Sequence, residues 1–428
     1  MVVNNEFRAF ICEAKTGKIL TDIPVVDPKW GLRLNDGGPL SATILATSKE
    51  ARDLDLKSLT TAHRRFLGFA VGDYVIDAGP IQSRSYKAGT GRLEVTAASL
   101  WRIFDRRKAL PGAALSQGAS PATKWSLRIP AGSGTTSLGS IARELVRVSI
   151  EDNPYANGTA GQLNIVLPPV EAGGHYRTYH GYDLRWQGEV LRQLTEVIGG
   201  PDIRFRPRFS GSDPTTVEWV LETGTEADPL LHQDGPDWVW DGSRPESGVV
   251  GFDADEDGSD VASRAWAPGS GQERDMMLGK ATDTTLVDLD WPWLETDSAS
   301  KQEENQEVLD GQAEQTIQEA AGPLTSFSIE VRTDREPVLG KYLPGDFAEV
   351  IVPQGHAILA PGPVRVRIMA IDGDGSRTVK LTVATFIGST AGSTFGTRSE
   401  AQTVYPVYPS STFYPGESTF PGTLTPPA

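Results

Sequence analysis

The residues able to do chemistry in this chain are many but scattered. Asp253-Ala254-Asp255-Glu256-Asp257-Gly258 resembles the opening of a calcium loop. Carboxylates at alternate positions, here Asp253, Asp255 and Asp257, can converge on one hard cation if the backbone bends sharply at a glycine. The twelfth position of that pattern is Arg264, however, where a helix-loop-helix calcium site uses a bidentate Glu. The stretch therefore reads first as a solvated acidic loop, and second as a weak calcium site. Of the five histidines, only His175 and His180 are close, and their spacing matches no zinc pattern. Asp288, Asp290 and Glu295 surround Trp291-Pro292-Trp293. Paired carboxylates hydrolyse glycosides and Trp faces stack on sugars, but with 56 acidic residues such groupings arise by chance, and Trp packing is the first reading. The single cysteine, Cys12, sits in an alternating apolar stretch with no histidine near it and reads as a small core residue. There is no Gly-x-Ser-x-Gly elbow with a partnered His, no P-loop and no Gly-x-Gly-x-x-Gly opening a helix after a strand. No catalytic residue and no cofactor-binding residue is nominated.

The elements that would carry these residues are mostly strands. Trp30–Leu34 and Leu40–Leu45 flank an Asp-Gly-Gly turn and read as a hairpin. Tyr74–Asp77 and Ile81–Tyr86 flank Ala78-Gly79-Pro80, a punctuation that predicts a chain reversal, and Arg92–Ala97 follows a second turn. Ser99–Lys108 reads as a short helix whose basic end suits the helix dipole. Residues 109–135, rich in Gly, Ala, Ser and Pro, read as a linker or long loop. Leu138, Ile141, Ala142, Leu145 and Val148 fall at helical spacing behind Thr136 or Ser137 as the cap, with Asn153-Pro154 as the stop. A second helix is predicted from Gly188 to Ile198, stopped by Gly199-Gly200-Pro201. Ile203–Phe209 and Thr216–Leu221 alternate as a further hairpin. A polar helix is predicted over about 298–321, with Ser300 and Glu303 as a capping box and a narrow face of Leu309, Ala313, Ile317 and Ala320. The clearest hairpin sets Val364, Val366 and Ile368 against Val379, Leu381 and Val383 about Asp372-Gly373-Asp374-Gly375, with Arg365 and Arg367 on the alternate face. Residues 389–428 are Ser, Thr, Gly and Pro with aromatics. Tyr405, Tyr408, Phe413, Tyr414 and Phe420 are candidates for docking an extended arm onto a neighbour, the second reading being simple disorder.

Composition agrees with a turn-rich β protein: 428 residues carry 45 Gly and 30 Pro. A formal charge of -16 disfavours non-specific contact with nucleic acid or anionic membranes. No run of about 18 apolar residues is present to span a bilayer, and no signal peptide is visible at the start of the chain. One cysteine permits no intramolecular disulfide.

Five stretches together resemble a known family: Gly79-Pro80-Ile81; Pro201-Asp202-Ile203-Arg204-Phe205 with Pro207-Arg208; Asp255 to Trp266; Leu343-Pro344-Gly345-Asp346; and the Asp-Gly-Asp-Gly hairpin. Their order and spacing resemble the hub or minor tail proteins at the tail tip of long-tailed, siphovirus-type phages, especially those infecting actinobacteria. They are also similar to the baseplate hub family. The resemblance implies a mainly β fold with an α+β insertion, built from two hub-type β-barrel domains, a helix-containing middle domain and an extended C-terminal arm. On that reading the domains are 1–112, 113–240, 241–388 and 389–428, the first barrel borrowing strands from around 240–270. It also implies a non-enzymatic homotrimeric ring in the virion, made in the host cytoplasm. The ring would join the tail tube, distal tail protein and tape-measure protein to the fibres and host-adhesion apparatus around a DNA exit channel, without specific nucleic-acid binding or membrane insertion. Some tail-tip proteins carry a C-terminal peptidase or glycosidase; the 40 residues after 388 are too few for one. The alternatives are a carbohydrate-binding adhesin, whose signature would be exposed Trp238, Trp240, Trp291 and Trp293, and a cell-wall glycoside hydrolase.

Overall fold

The computed structural model describes residues 7–111, 126–151, 161–197, 199–271, 276–298, 305–322 and 324–385. They form two compact units. The larger comprises the chain up to Ser259 and from Pro323 to Thr385; the described part of the smaller is Asp260–Gly322.

The larger unit begins with β1 (Phe7–Glu13), β2 (Ile19–Asp22), β3 (Val26–Arg33), β4 (Pro39–Leu45), short helices α1 (Lys49–Arg52) and α2 (Leu56–Leu59), β5 (Arg65–Val71), β6 (Tyr74–Lys87), β7 (Arg92–Ala98) and the single turn α3 (Trp101–Phe104). The middle of the chain adds β8 (Ser126–Ile129), α4 (Leu138–Ile150), β9 (Ile165–Val166), β10 (Arg177–His180), α5 (Gln187–Thr195), β11 (Ile203–Phe209) and β12 (Val217–Thr223). Next come β13 (Trp238–Asp241) and β14 (Val249–Asp257). The smaller unit then supplies β15 (Arg264–Pro268), β16 (Leu278–Thr282), β17 (Glu295–Asp297) and α6 (Gln306–Glu319). The chain returns through β18 (Leu324–Arg332), β19 (Phe347–Val352), β20 (Gly362–Gly373) and β21 (Thr378–Thr385). The protein is mainly β.

The two β regions at either end of the sequence are joined. One 13-stranded sheet runs β14-β18-β21-β20-β3-β4-β7-β6-β5-β1-β2, with β19 on β20 and β13 on β19. The seam is the antiparallel pair β3–β20, where Gly31 faces Asp372 and Trp30 faces Gly373. A Cβ at Gly373 would lie 2.3 Å from the Trp30 ring. The first Asp-Gly of the 372–375 stretch is therefore strand, with its glycine seating a tryptophan. The turn comes after it, at Asp374 to Arg377, with Gly375 at positive φ.

Gly79-Pro80 does not reverse the chain. β6 runs unbroken from Tyr74 to Lys87, pairing with β5 up to Pro80 and with β7 from Ile81. The dipeptide marks the point where one strand changes partner. A Cβ at Gly79 would fall 1.9 Å from the Ala98 carbonyl oxygen, so the crossing chain requires glycine there.

β1 is buried on both faces. Ala9 and Ile11 enter the sheet core with Trp30, Leu40, Phe69, Ile329 and Ile368. Phe10 and Cys12 enter a second core with Phe66, Phe104, Leu145, Leu191 and Trp219. That second core holds the apolar faces of α4 and α5. α4 occupies the predicted residues, and the Ser137 hydroxyl accepts from the Ser140 amide. α5 stops at Thr195, earlier than predicted, and Gly199 adopts the expected left-handed conformation. Ser126–Ile129, read as part of a linker, is instead a strand paired with β10. The helix predicted over Ser99–Lys108 is a single turn, and Arg107 beyond it donates to the Ser149 carbonyl and hydroxyl. In the smaller unit, α6 buries Leu309, Ala313, Ile317 and Ala320 as predicted. Its cap is Asn305; Ser300 and Glu303 lie outside the described residues.

Candidate functional site

The most built polar site is a junction where three distant parts of the chain meet. Asp202 immediately precedes β11 and is 1% exposed; Arg367 lies mid-β20 and is 2% exposed. Their side chains form an ion pair. Arg367 also donates to the Gly345 carbonyl at 2.9 Å and the Leu231 carbonyl at 3.0 Å. The second Asp202 oxygen accepts from the Asn35 amide at 2.9 Å, and the Leu231 N–H donates to the first at 2.8 Å. Asn35 in turn accepts from the Ile203 N–H at 2.8 Å. Asn35 sits at positive φ in the β3–β4 turn, a conformation its short polar side chain tolerates. A buried charge is costly unless paired and hydrogen-bonded, and here each oxygen of Asp202 is matched.

Neighbouring bonds extend the junction. Arg204 pairs with Glu222 and donates to the Pro344 carbonyl. Asp346 accepts from the Trp238 indole at 3.0 Å and the Leu343 N–H at 3.0 Å, while burial pushes its carboxyl up. Arg33 holds Asp372 at 2.7 Å across the β3–β20 seam. Between these groups lies a cavity of about 40 Å³, lined in part by Arg33, Asp77, Trp101, Arg204 and Pro344. Asp77 accepts from the Ala78 N–H at 2.8 Å, and its other oxygen has no partner among the described residues. Burial pushes its carboxyl up to about 8, so near neutral pH it is largely uncharged. The arrangement fixes backbone segments to one another. Among the described residues, the Ser99 hydroxyl that also lines the cavity has no hydrogen-bond partner, so it is not bonded to the Asp77 carboxyl.

No family model matches the chain, and no curated protein matches it. Among solved structures, the 43 kDa tail protein of prophage MuSo2 from Shewanella oneidensis aligns with 89% of this chain and 98% of its own, at 12% identity and a TM-score of 0.53. A tail protein from Neisseria meningitidis MC58 aligns over 89% and 97% at 11% identity, with a TM-score of 0.48. Prophage tail protein gp18 from Listeria monocytogenes EGD-e aligns over 88% and 94% at 11% identity, with a TM-score of 0.42. The first likeness carries the argument. This chain shares the fold of a phage tail protein.

In that tail-protein fold the sequence candidates take the following places. Asp253, Asp255 and Asp257 lie along β14, which is extended and paired with β18, so they are strung out on one face instead of gathered at a point. Asp253 pairs with Lys380 at 3.1 Å, and Asp257 accepts from the Ser259 N–H. No group of three metal-ligating side chains occurs among the described residues. His175 pairs with Glu226 and His180 stacks on Tyr182, so the two histidines serve different contacts. Cys12 is fully buried, and burial pushes its thiol up to about 12, which suits a core residue and not a nucleophile. Trp240 is buried against Tyr342 and Trp238 is half-buried, contrary to the exposed signature of an adhesin. Trp291 and Trp293 are exposed, the latter under the Arg264 guanidinium, which also pairs with Glu295. Tyr405, Tyr408, Phe413, Tyr414 and Phe420 lie outside the described residues.

The junction itself is where residue-by-residue reading fell short. Period two put Arg367 on the face opposite Val366 and Ile368, and the structure buries all three. The usable signal lay in the quoted motifs. Pro201–Phe205, Leu343–Asp346 and the Asp-Gly-Asp-Gly hairpin supply Asp202, Gly345 and Asp372, all within this one network.

Proposed function

We propose that the protein is a structural hub of a phage tail tip, without catalytic activity. One observation carries the reading: the chain shares the fold of a phage tail protein over 98% of that protein's length. The buried junction supports it, because a load-transmitting scaffold needs sequence-distant sheets held in one rigid arrangement. In this reading the β regions 1–112 and 241–388 are the two hub-type barrel domains, and 113–240 is the α+β insertion. The chain assembles as a homotrimeric ring at the tail tip of a siphovirus-type particle. It contacts the distal tail protein, the tape-measure protein and fibres, and surrounds the DNA exit channel. The aromatics of 389–428, Tyr405, Tyr408, Phe413, Tyr414 and Phe420, dock on a neighbouring subunit or tail protein. The acidic surface, at -16 per chain, keeps passing DNA from adhering.

Light scattering on the purified protein tests the ring. The expected species is a trimer of about 138 kDa, three times the 46.1 kDa chain. A protein that stays monomeric at high concentration, alone and with its distal tail protein, overturns the hub reading.

A further inference from the structure

An acidic chain carries a basic pocket that carboxylates, among the described residues, match only in part. His63, Ile103, Arg106 and Arg107 line an open pocket of about 330 Å³. Arg106 faces the His63 ring at 3.3 Å, and Arg102 lies close enough to add its charge to the same imidazole. Burial and these two cations lower the His63 pKa, so the histidine adds no compensating group and stays neutral. Arg102 leans on Asp105, but Asp105 is already held by Arg192. Among the described residues, Arg106 pairs with no carboxylate. Exposed cations gathered against a neutral ring call for an external anion.

The same unit carries the complementary surface. β14 is the terminal strand of the sheet order, and among the described residues its second edge pairs with no strand. Its end presents Asp255, Glu256 and Asp257, all exposed. Two copies of this edge repel one another, which disfavours a two-fold contact of β14 with itself. The basic pocket lies elsewhere in the order, beside β6 and β5: the His63 amide donates to the Ile81 carbonyl of β6, and β5 begins at Arg65. Unlike patches on separate strands of one subunit permit a head-to-tail contact, which forms a ring where the rotation between subunits closes.

We propose that the pocket around Arg102 and Arg106 receives the acidic end of β14 from a second copy of this chain. The contact is heterologous: each subunit offers its β14 edge to one neighbour and its pocket to the other. It rests on the hub reading and supplies that reading with its ring interface.

The test is charge reversal in the full chain, with far-UV circular dichroism and thermal melting to confirm folding. R102E/R106E and D255K/D257K each place like charges in contact and are expected to raise the concentration for half-assembly about tenfold, equivalent to about 1.4 kcal/mol. The quadruple variant, in which every contact is again complementary, is expected to recover assembly to within about threefold of wild type. R102Q/R106Q and D255N/D257N give smaller losses in the same direction and replace any reversal that fails to fold. Wild-type assembly undisturbed by either variant, or two losses that the quadruple variant does not rescue, sinks the proposal and leaves the hub reading standing. Wild type that never assembles sinks both. Tight duplex-DNA binding lost in R102E/R106E would assign the pocket to phosphates and overturn the subunit contact.

Discussion

Arg367 and Asp202 show how one buried pair can organise a scaffold. The pair alone is weak evidence of stability, since desolvation offsets most of the attraction. Its importance lies in what else the two side chains hold: Asn35, Leu231 and Gly345, from separate stretches of chain. Removing one partner leaves the other charge buried without its match. R367M is expected to destabilise the protein by about 3–5 kcal/mol. R367M/D202N is expected to be more stable than R367M alone, because no uncompensated charge remains. Urea denaturation followed by tryptophan fluorescence reads both. A cost for R367M below about 1 kcal/mol would mean that solvent reaches Asp202 and that the junction is not a lock. Sequence pattern concealed this role for a physical reason: period two reports which side of a strand a residue is on, not whether another segment covers that side.

At the scale of elements, local rules worked where local forces dominate. α4 was legible because a Ser cap, an apolar face at helical spacing and one buried side agree. The β11–β12 and β20–β21 hairpins were legible from alternation and turn residues. Gly79-Pro80 was misread because a Gly-Pro pair serves both a reversal and a crossing, and only the chain passing at Ala98 distinguishes them. G79A is therefore expected to lower stability by at least about 1–3 kcal/mol through overpacking against backbone that cannot swing aside. Thermal unfolding measures it. A melting temperature equal to wild type would show that β6 and β7 can separate at the crossing without cost. The short run Phe10-Ile11-Cys12 was legible as core but not as a strand shared by two cores, since that depends on α4, α5 and the sheet covering opposite faces.

For the whole molecule, the choice lies between scaffold and adhesin. Two of the four tryptophans that would mark a sugar-binding surface are used internally, Trp240 in the core and Trp238 on Asp346. Trp291 and Trp293 remain exposed on the smaller unit. A glycan array is expected to show no binding above background. Binding that disappears in W291A/W293A would make that unit an adhesin module and shift the protein away from a purely structural role.

By itself, the sequence determined the β-rich character, α4 and α5, the β3–β4, β11–β12 and β20–β21 hairpins and the acidic balance. These follow from periodicity, turn residues and charge, all encoded over a few neighbouring residues. The tertiary structure alone decided that β3 and β20 join the two β regions into one sheet, that Gly79 sits at a crossing, and that Asp202 and Arg367 meet. Those facts depend on contacts between segments that are not neighbours in sequence, and no local pattern records which of them will supply the partner for a buried charge or an open strand edge.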